Sequence, residues 1–75
     1  MEKMTEKFQI RGELITLDAL LKAVGIADSG AQAKAMVADG LVKVDGETES
    51  RKTRKLRGGE KVEVMGKTIE LLADH

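Results

Sequence analysis

The order of helix and strand in this chain is encoded most clearly by residues 29–46, SGAQAKAMVADGLVKVDG. Ser29 offers a side-chain oxygen that can cap a helix, and Gln32 follows it at the spacing of a capping box. Apolar residues then recur at helical spacing until Gly40, which can end the helix. Beyond it, apolar residues alternate with polar ones up to Asp45-Gly46, a pair typical of tight hairpin turns. The stretch therefore predicts a short helix and then a strand that enters a hairpin.

A second helical pattern precedes this stretch. Its apolar residues recur at i, i+3, i+4 and i+7, which places them on one face of a helix: Leu17, Leu20, Leu21 and Val24. Thr16 can cap the start of this helix, and Gly25 can end it. We therefore predict another helix over residues 17–24, and the two short helices must share one core.

Alternating residues outside the helices predict strands. Near the start, residues 8–10 alternate and predict a short strand, which follows a frayed end at about residues 1–6. Near the end, residues 61–72 alternate around Met65-Gly66 and predict a second hairpin. No linker or internal repeat interrupts the chain, so we predict one domain over residues 1–75.

Residue composition excludes several classes of function. The chain has no Cys, and its single His is residue 75, so no disulfide or thiolate metal site is available, and we expect no cofactor and no metal. No nucleophile is paired with a base, and the thirteen acidic side chains alternate with basic or apolar residues as on a solvated face. We therefore expect no enzyme. Residues 25–30 have the glycine spacing of a phosphate-binding loop but lack the Lys that must follow, so we interpret them as an interhelical turn.

Hydropathy indicates where the protein acts. No apolar run approaches the ~18–20 residues that span a membrane. The first six residues lack the apolar centre of a signal peptide. We therefore expect a cytoplasmic monomer without a membrane partner.

Positive charge is concentrated in residues 51–57, although the chain has no net charge and a pI near 6.6. This stretch, called the basic segment below, carries five cations and no acid: Arg51, Lys52, Arg54, Lys55 and Arg57. Arg forks and Lys point charges bind phosphate groups, so the segment indicates a polyanionic partner. The alternative is a solubilising loop neutralised by the nearby Glu47 and Glu49.

The start of the second helix is another candidate anion site. Its free backbone N–H groups over residues 29–32 and the positive end of the helix dipole favour an anion, with Lys34 one turn further on. The alternative is an ordinary capped helix with Lys34 at its surface. On one side of the domain, this helix start and the basic segment would form a groove for a phosphate backbone. Phe8 is the only aromatic residue and no stacking platform is available, so we expect structured RNA bound by shape and phosphate contacts.

The ordered set of these elements resembles a known family. Residues 17–25, 29–40, 42–46 and 59–62 are together similar to the RNA-binding domain named after ribosomal small-subunit protein four, also called the alpha-L motif, in its short stand-alone bacterial form. The resemblance implies an α+β fold with two short helices packed on a small, mainly antiparallel sheet. It also implies that the partner is structured RNA, with ribosomal RNA or a ribosomal particle as the family-level expectation.

The resemblance also implies which residues contact RNA. In the family, RNA lies against the start of the second helix and the adjoining strand and loops, and the matching residues are Ser29, Gln32, Lys34 and Lys43. The basic segment would extend that surface. Many members carry Arg where this chain has Thr16 and Gly30. We expect Lys34 and the basic segment to compensate.

Two other functions fit the sequence. Two short helices joined at Gly25 fit a helix-turn-helix that binds DNA, but the second helix begins with mostly small residues that reach base edges poorly. A protein-interaction adaptor on a ribosomal complex would instead show an exposed apolar patch and salt-insensitive binding.

Overall fold

The computed structural model describes residues 4–74, which form two helices and seven strands. In chain order these are β1 (Met4–Gln9), β2 (Ile15–Thr16), α1 (Leu17–Ala23), α2 (Gly30–Ala38), β3 (Val42–Val44), β4 (Glu47–Thr48), β5 (Lys55–Leu56), β6 (Lys61–Val64) and β7 (Lys67–Leu72). The α+β fold predicted from the sequence is confirmed, with both helices within two residues of the predicted bounds.

Five strands form one mixed sheet in the order β1-β7-β6-β3-β4. Three of its four pairings are antiparallel, and β1 adds to β7 in parallel. The remaining strands, β2 and β5, form a separate two-stranded ladder. The sheet is therefore mainly antiparallel, as expected.

Both predicted hairpins are present, and each turns on two residues with positive φ. The turn between β3 and β4 has Asp45 at 53° and Gly46 at 85°, and the turn between β6 and β7 has Met65 at 51° and Gly66 at 79°. These are the angles of a type I′ turn, whose twist matches the right-handed twist of the flanking strands. Asp45 also ties its turn to β6, because its Oδ1 accepts a hydrogen bond of 3.0 Å from the N–H of Lys61.

The start of the chain is more ordered than the sequence suggested. Residues 4–6, expected to fray, form the first half of β1 and pair with β7. Their partners lie more than sixty residues away in the chain, so no local pattern could reveal the pairing. The rest of the expected frayed end, residues 1–3, lies outside the described residues.

The core lies between one face of the sheet and the two helices. The buried residues come from every layer: Ile10, Leu17, Leu20, Leu21, Ala27, Ala33, Met36, Val37, Val42, Val44, Leu56, Val62, Val64, Ile69 and Leu71. In β3 and β6, buried valines alternate with exposed or half-exposed polar residues, so the other face of the sheet meets solvent. Phe8 packs against the edge of this core and stays partly exposed.

Candidate nucleic-acid interface

The basic segment is fastened to the start of α1 by its own backbone. The carbonyl oxygens of Arg54 and Lys52 accept hydrogen bonds of 2.9 and 3.0 Å from the N–H groups of Leu17 and Asp18. The β2–β5 ladder continues this attachment, and Leu56, the only apolar residue of the segment, is fully buried. The backbone of the segment is thus held by α1 and β2, which leaves its charged side chains on the surface.

The start of α1 is closed to an external anion. The two carbonyl oxygens of the basic segment already use its first N–H groups, and the Asp18 carboxylate accepts a hydrogen bond of 2.9 Å from the N–H of Ala19. The Thr16 side chain lowers the pKa of Asp18 most, and the N–H of Ala19 and the charge of Lys52 lower it further against the opposing effect of burial. Asp18 is therefore an anion within the protein that complements the helix dipole.

Beneath the basic segment lies Glu49, the one charged residue that is buried among the residues described, with 7% of its surface exposed. Its carboxylate accepts hydrogen bonds from the N–H of Ser50 at 3.0 Å, the N–H of Arg51 at 3.4 Å and Nη1 of Arg54 at 3.1 Å. Burial raises the pKa of this carboxyl, but the Arg54 guanidinium, the two N–H groups and the charge of Arg51 lower it more. Glu49 is therefore held as a carboxylate, with a pKa below its ordinary value.

Glu49 separates the cations of the basic segment into two kinds. The Arg54 side chain is 37% exposed and bonds to the carboxylate, whereas the Arg51 side chain is 75% exposed and its Nε lies 3.8 Å from Oε2. The other three cations are exposed: Lys52, Lys55 and Arg57. Arg54 is thus partly a structural residue, and sequence reasoning, which treated Glu49 only as a neutralising charge, missed the residue that organises the segment.

Four residues of the basic segment line a shallow depression of about 320 Å³: Arg51, Thr53, Arg54 and Lys55. We call it the phosphate cup. Three of its lining residues are cations, the fourth carries a hydroxyl, and none is an acid. All four groups can donate hydrogen bonds, so the cup presents donors and positive charge to an anion.

The start of α2 is capped as predicted, with one change. Ser29 Oγ accepts a hydrogen bond of 3.2 Å from the N–H of Gln32, but Gln32 Oε1 accepts one of 2.7 Å from the N–H of Asp28 and not of Ser29. The acceptor oxygens of both predicted contact residues therefore serve the cap. What remains for an anion is the N–H groups of Gly30 and Ala31, which have no partner within residues 4–74, with the exposed Lys34 one turn further on.

The two candidate anion sites lie at opposite ends of α1. The basic segment contacts its first residues, whereas α2 starts after a tight turn in which the N–H groups of Ile26 and Ala27 donate to Leu21 O at its C-terminal end. Seven helical residues separate the two ends, a rise of about 10 Å. One extended partner could reach both sites, but a single phosphate could not.

Lys43 is not among the residues that line the phosphate cup. It is exposed in the middle of β3, between two buried valines whose side chains point to the helices. Its side chain is therefore on the outer face of the sheet, where its neighbours in register are Thr48 and Glu63. The structure brings Arg51, Arg54 and Lys55 together but does not add Lys43 to them.

Two further properties concern the described residues only. Among residues 4–74, no cluster of three or more His, Cys, Asp or Glu side chains could hold a metal ion. Neither of the two helices found there has the length and apolar character needed to cross a membrane.

Comparison with known proteins identifies the family. Residues 8–72 match the family described as the S4 domain. The YbcJ protein of Escherichia coli (strain K12) is 44% identical over 59 residues, which cover 79% of this chain and 84% of YbcJ, and YbcJ of Shigella flexneri matches equally. The solution structure of E. coli YbcJ, described as revealing an alpha-L motif involved in RNA binding, has a TM-score of 0.63 and 37% identity and covers 97% of this chain and 91% of that one. The resemblance found in the sequence is confirmed: the chain belongs to the S4 domain family.

Proposed function

We propose that this protein binds structured RNA through phosphate and shape contacts, with the basic segment as its main contact surface. The observation that carries the proposal is the placement of charge in that segment. Its backbone is fixed to α1 and β2, four of its five cations are exposed and Arg54 is partly exposed, and Glu49, the acid that contacts Arg51 and Arg54, is buried. An RNA phosphate at this surface would meet cations without meeting that carboxylate.

Structured RNA fits this surface better than single strands do. Proteins that bind single strands stack bases on several exposed aromatic side chains, whereas this chain has one aromatic residue, Phe8, packed against the core. Ribosomal RNA or a ribosomal particle is the partner that we propose within this class, because the family resemblance points there. We also propose that the protein acts in the cytoplasm as a binding domain without catalysis.

The helix-turn-helix alternative fits the geometry of α2 less well. A recognition helix reads base edges with long side chains near its start. The first turns of α2 expose Gly30, Ala31, Gln32 and Lys34. Of these, Gln32 is held by the N–H of Asp28, so Lys34 alone is long and unengaged.

One observation favours the adaptor as a second candidate. Leu41 and Met65 are 51% and 73% exposed, and they line the same shallow depression beside the β6–β7 turn. This pair lies on a different part of the molecule from the basic segment. Binding of a ribosomal protein there would depend little on salt, because apolar contacts release few counterions.

The decisive experiment measures affinity for a ribosomal RNA helix, a single-stranded RNA and a DNA duplex across a salt series. We expect structured RNA to bind best. If about three to five phosphates are neutralised, the slope of log affinity against log salt is about −2 to −4.5, at 0.7–0.9 per phosphate. Equal affinity for all three ligands, or a slope near zero, would contradict the proposal.

Two double variants test whether the basic segment is the surface that binds RNA. Lys52→Ala with Arg57→Ala removes two exposed cations of the basic segment, and Lys7→Ala with Lys61→Ala removes two exposed cations from β1 and β6. Net charge changes equally in both. We expect only the first pair to make the slope shallower, by about 1.4–1.8, which is the contribution of two phosphate contacts. Equal effects would mean that RNA responds to the electrostatic field of the whole protein and not to the basic segment in particular.

A further inference from the structure

The phosphate cup has the composition of a site for one anion. Arg51, Arg54 and Lys55 surround it together with the Thr53 hydroxyl. By contrast, the depression beside the β6–β7 turn mixes Lys43 and Lys67 with Glu63, and the one beside Phe8 is mostly apolar in its lining. Among these three depressions, the cup alone is lined by several cations and no acid.

We propose that the phosphate cup holds a single phosphate group of the bound RNA, and that the buried Glu49 is the positioning residue that assembles it. This inference rests on the proposed function and narrows it to one site within the basic segment. The class of ligand is a phosphate, either within the RNA backbone or at the end of a strand.

Arg54 has donors left for a phosphate after it has bound Glu49. The contact with the carboxylate uses Nη1, and a guanidinium has five N–H donors in a planar fork. The remaining nitrogens, Nη2 and Nε, are available to a ligand in the cup, which Arg54 lines. Glu49 therefore fixes the plane of the guanidinium without consuming its capacity to bind an anion.

The same carboxylate fixes the backbone of the cup. It accepts the N–H groups of Ser50 and Arg51, while the carbonyl oxygens of Lys52 and Arg54 accept from α1. Consecutive residues around the cup are thus tied to the body of the protein before RNA arrives. Binding to a preassembled site avoids the entropic cost of ordering flexible cationic side chains.

The charge around the cup favours a phosphate as the ligand and distinguishes between a phosphate within the RNA backbone and one at the end of a strand. Three cations line the cup and one carboxylate lies beneath it, which leaves a local charge of +2. A phosphate within the backbone carries one negative charge, whereas a terminal phosphate carries about −1.5 to −2 at neutral pH. A terminal phosphate therefore balances the charge of the cup more completely, and RNAs with a 5′-phosphate or a 5′-hydroxyl distinguish the two sources.

The test uses a substitution for which a positioning role of Glu49 and a simple effect of its charge predict opposite changes in RNA affinity. Glu49→Gln removes a negative charge, so the general field of the protein would make RNA bind more tightly. If Glu49 positions Arg54, the same change lowers affinity for structured RNA by about three- to tenfold, because the cup is no longer assembled. Glu47→Gln is the matched control, since Glu47 is exposed in β4 two residues earlier, and we expect it to raise affinity up to about twofold.

Direct occupancy of the cup is measured with inorganic phosphate as the probe. In ¹⁵N-labelled protein, phosphate should shift the amide signals of residues 50–55 in a saturable way and leave those of β6 and β7 in place. Thr53→Val removes the hydroxyl without changing charge, and Thr53 is exposed, so this variant tests the cup even if Glu49→Gln unfolds. We expect it to weaken phosphate binding about tenfold or more, the value of one hydrogen bond to a charged group.

The outcomes separate this inference from the proposed function. An increase in RNA affinity on Glu49→Gln equal to that of Glu47→Gln, or phosphate shifts spread over the whole surface, would overturn the cup while RNA binding through Lys52 and Arg57 still stood. Saturable shifts at residues 50–55 without RNA binding would overturn the proposed function and leave an anion site. A stronger response to 5′-phosphate than to 5′-hydroxyl RNA would identify strand ends as the ligand, and equal responses would identify the backbone.

Discussion

Leu56 is the side chain that holds the basic segment against the core, and Leu56→Ala tests how much this anchor contributes. The side chain is fully buried, and the residue pairs with Ile15 across the β2–β5 ladder. Truncation of a buried Leu to Ala loses the transfer free energy of the removed atoms and leaves a cavity, at a cost of about 2–5 kcal/mol. A domain of 75 residues has about 4–11 kcal/mol of stability in total. We therefore expect the substitution to remove a large part of the free energy of unfolding.

Urea unfolding followed by circular dichroism measures this loss. We expect a lower midpoint with an unchanged slope, since the surface exposed on unfolding stays nearly the same. Leu41→Ala is the matched control because Leu41 is 51% exposed, and its cost should stay within about 0.5 kcal/mol. A loss below about 1 kcal/mol for Leu56→Ala, or equal losses for both variants, would refute the reasoning that β5 is packed into the core.

Three further predictions concern stability. Gly58→Ala should destabilise the protein by at least about 1–3 kcal/mol, because Gly58 has φ of +120° and a Cβ there would lie 2.7 Å from backbone atoms of Ala73. Gly30→Ala, at a helical position with open space, should instead stabilise the protein by about 0.5–1 kcal/mol. Thermal unfolding of the two variants compares these effects. Met65→Asn should stabilise by a few tenths of a kcal/mol, because Met65 has φ of 51° and Asn tolerates the left-handed region better; a lower melting temperature would contradict this. Glu49 has a lowered pKa in the folded protein, so its ionisation stabilises the fold at pH values above the ordinary pKa of about 4.5, and this contribution is lost as the pH falls through the folded pKa. The difference in unfolding free energy between the wild type and Glu49→Gln should therefore close in acid. A difference that stays constant with pH would mean that the charge of Glu49 is not involved.

Local patterns in the sequence determine most of the fold. The cap at Ser29, the stop at Gly40 and the two turns at Asp45-Gly46 and Met65-Gly66 each depend on residues adjacent in the chain, and the structure has all four. The parallel addition of β1 to β7 depends on residues at opposite ends of the chain. Side-chain alternation shows that a strand is present but does not identify its partner.

The candidate site was less predictable than the fold, because the sequence gives the charge of each side chain but not its burial. All five cations of the basic segment look alike in the sequence, yet Arg54 is tied to a buried carboxylate and Arg51 is largely exposed. Alternation gave no signal for Glu49, because it stands two residues beyond the exposed Glu47 and a continued strand would place both side chains on one face, although only Glu49 is buried. For Lys43, by contrast, alternation did give the signal, since this residue stands between two valines that both face the core.

The absence of net charge does not prevent this protein from binding a polyanion. The molecule measures 33 × 30 × 22 Å, whereas the electrostatic screening length at physiological ionic strength is about 8 Å. RNA at the basic segment therefore responds to the charges around that segment and little to acids on distant surfaces such as Glu63 on the outer face of the sheet. Only near 0.01 M salt, where the screening length reaches about 30 Å, does the whole molecule act as one charge distribution. The distant acids then oppose binding, so the gain in RNA affinity on dilution of salt should level off in that range. Substitution of Glu63 by Gln should restore part of this gain at low salt and have little effect on affinity at physiological salt.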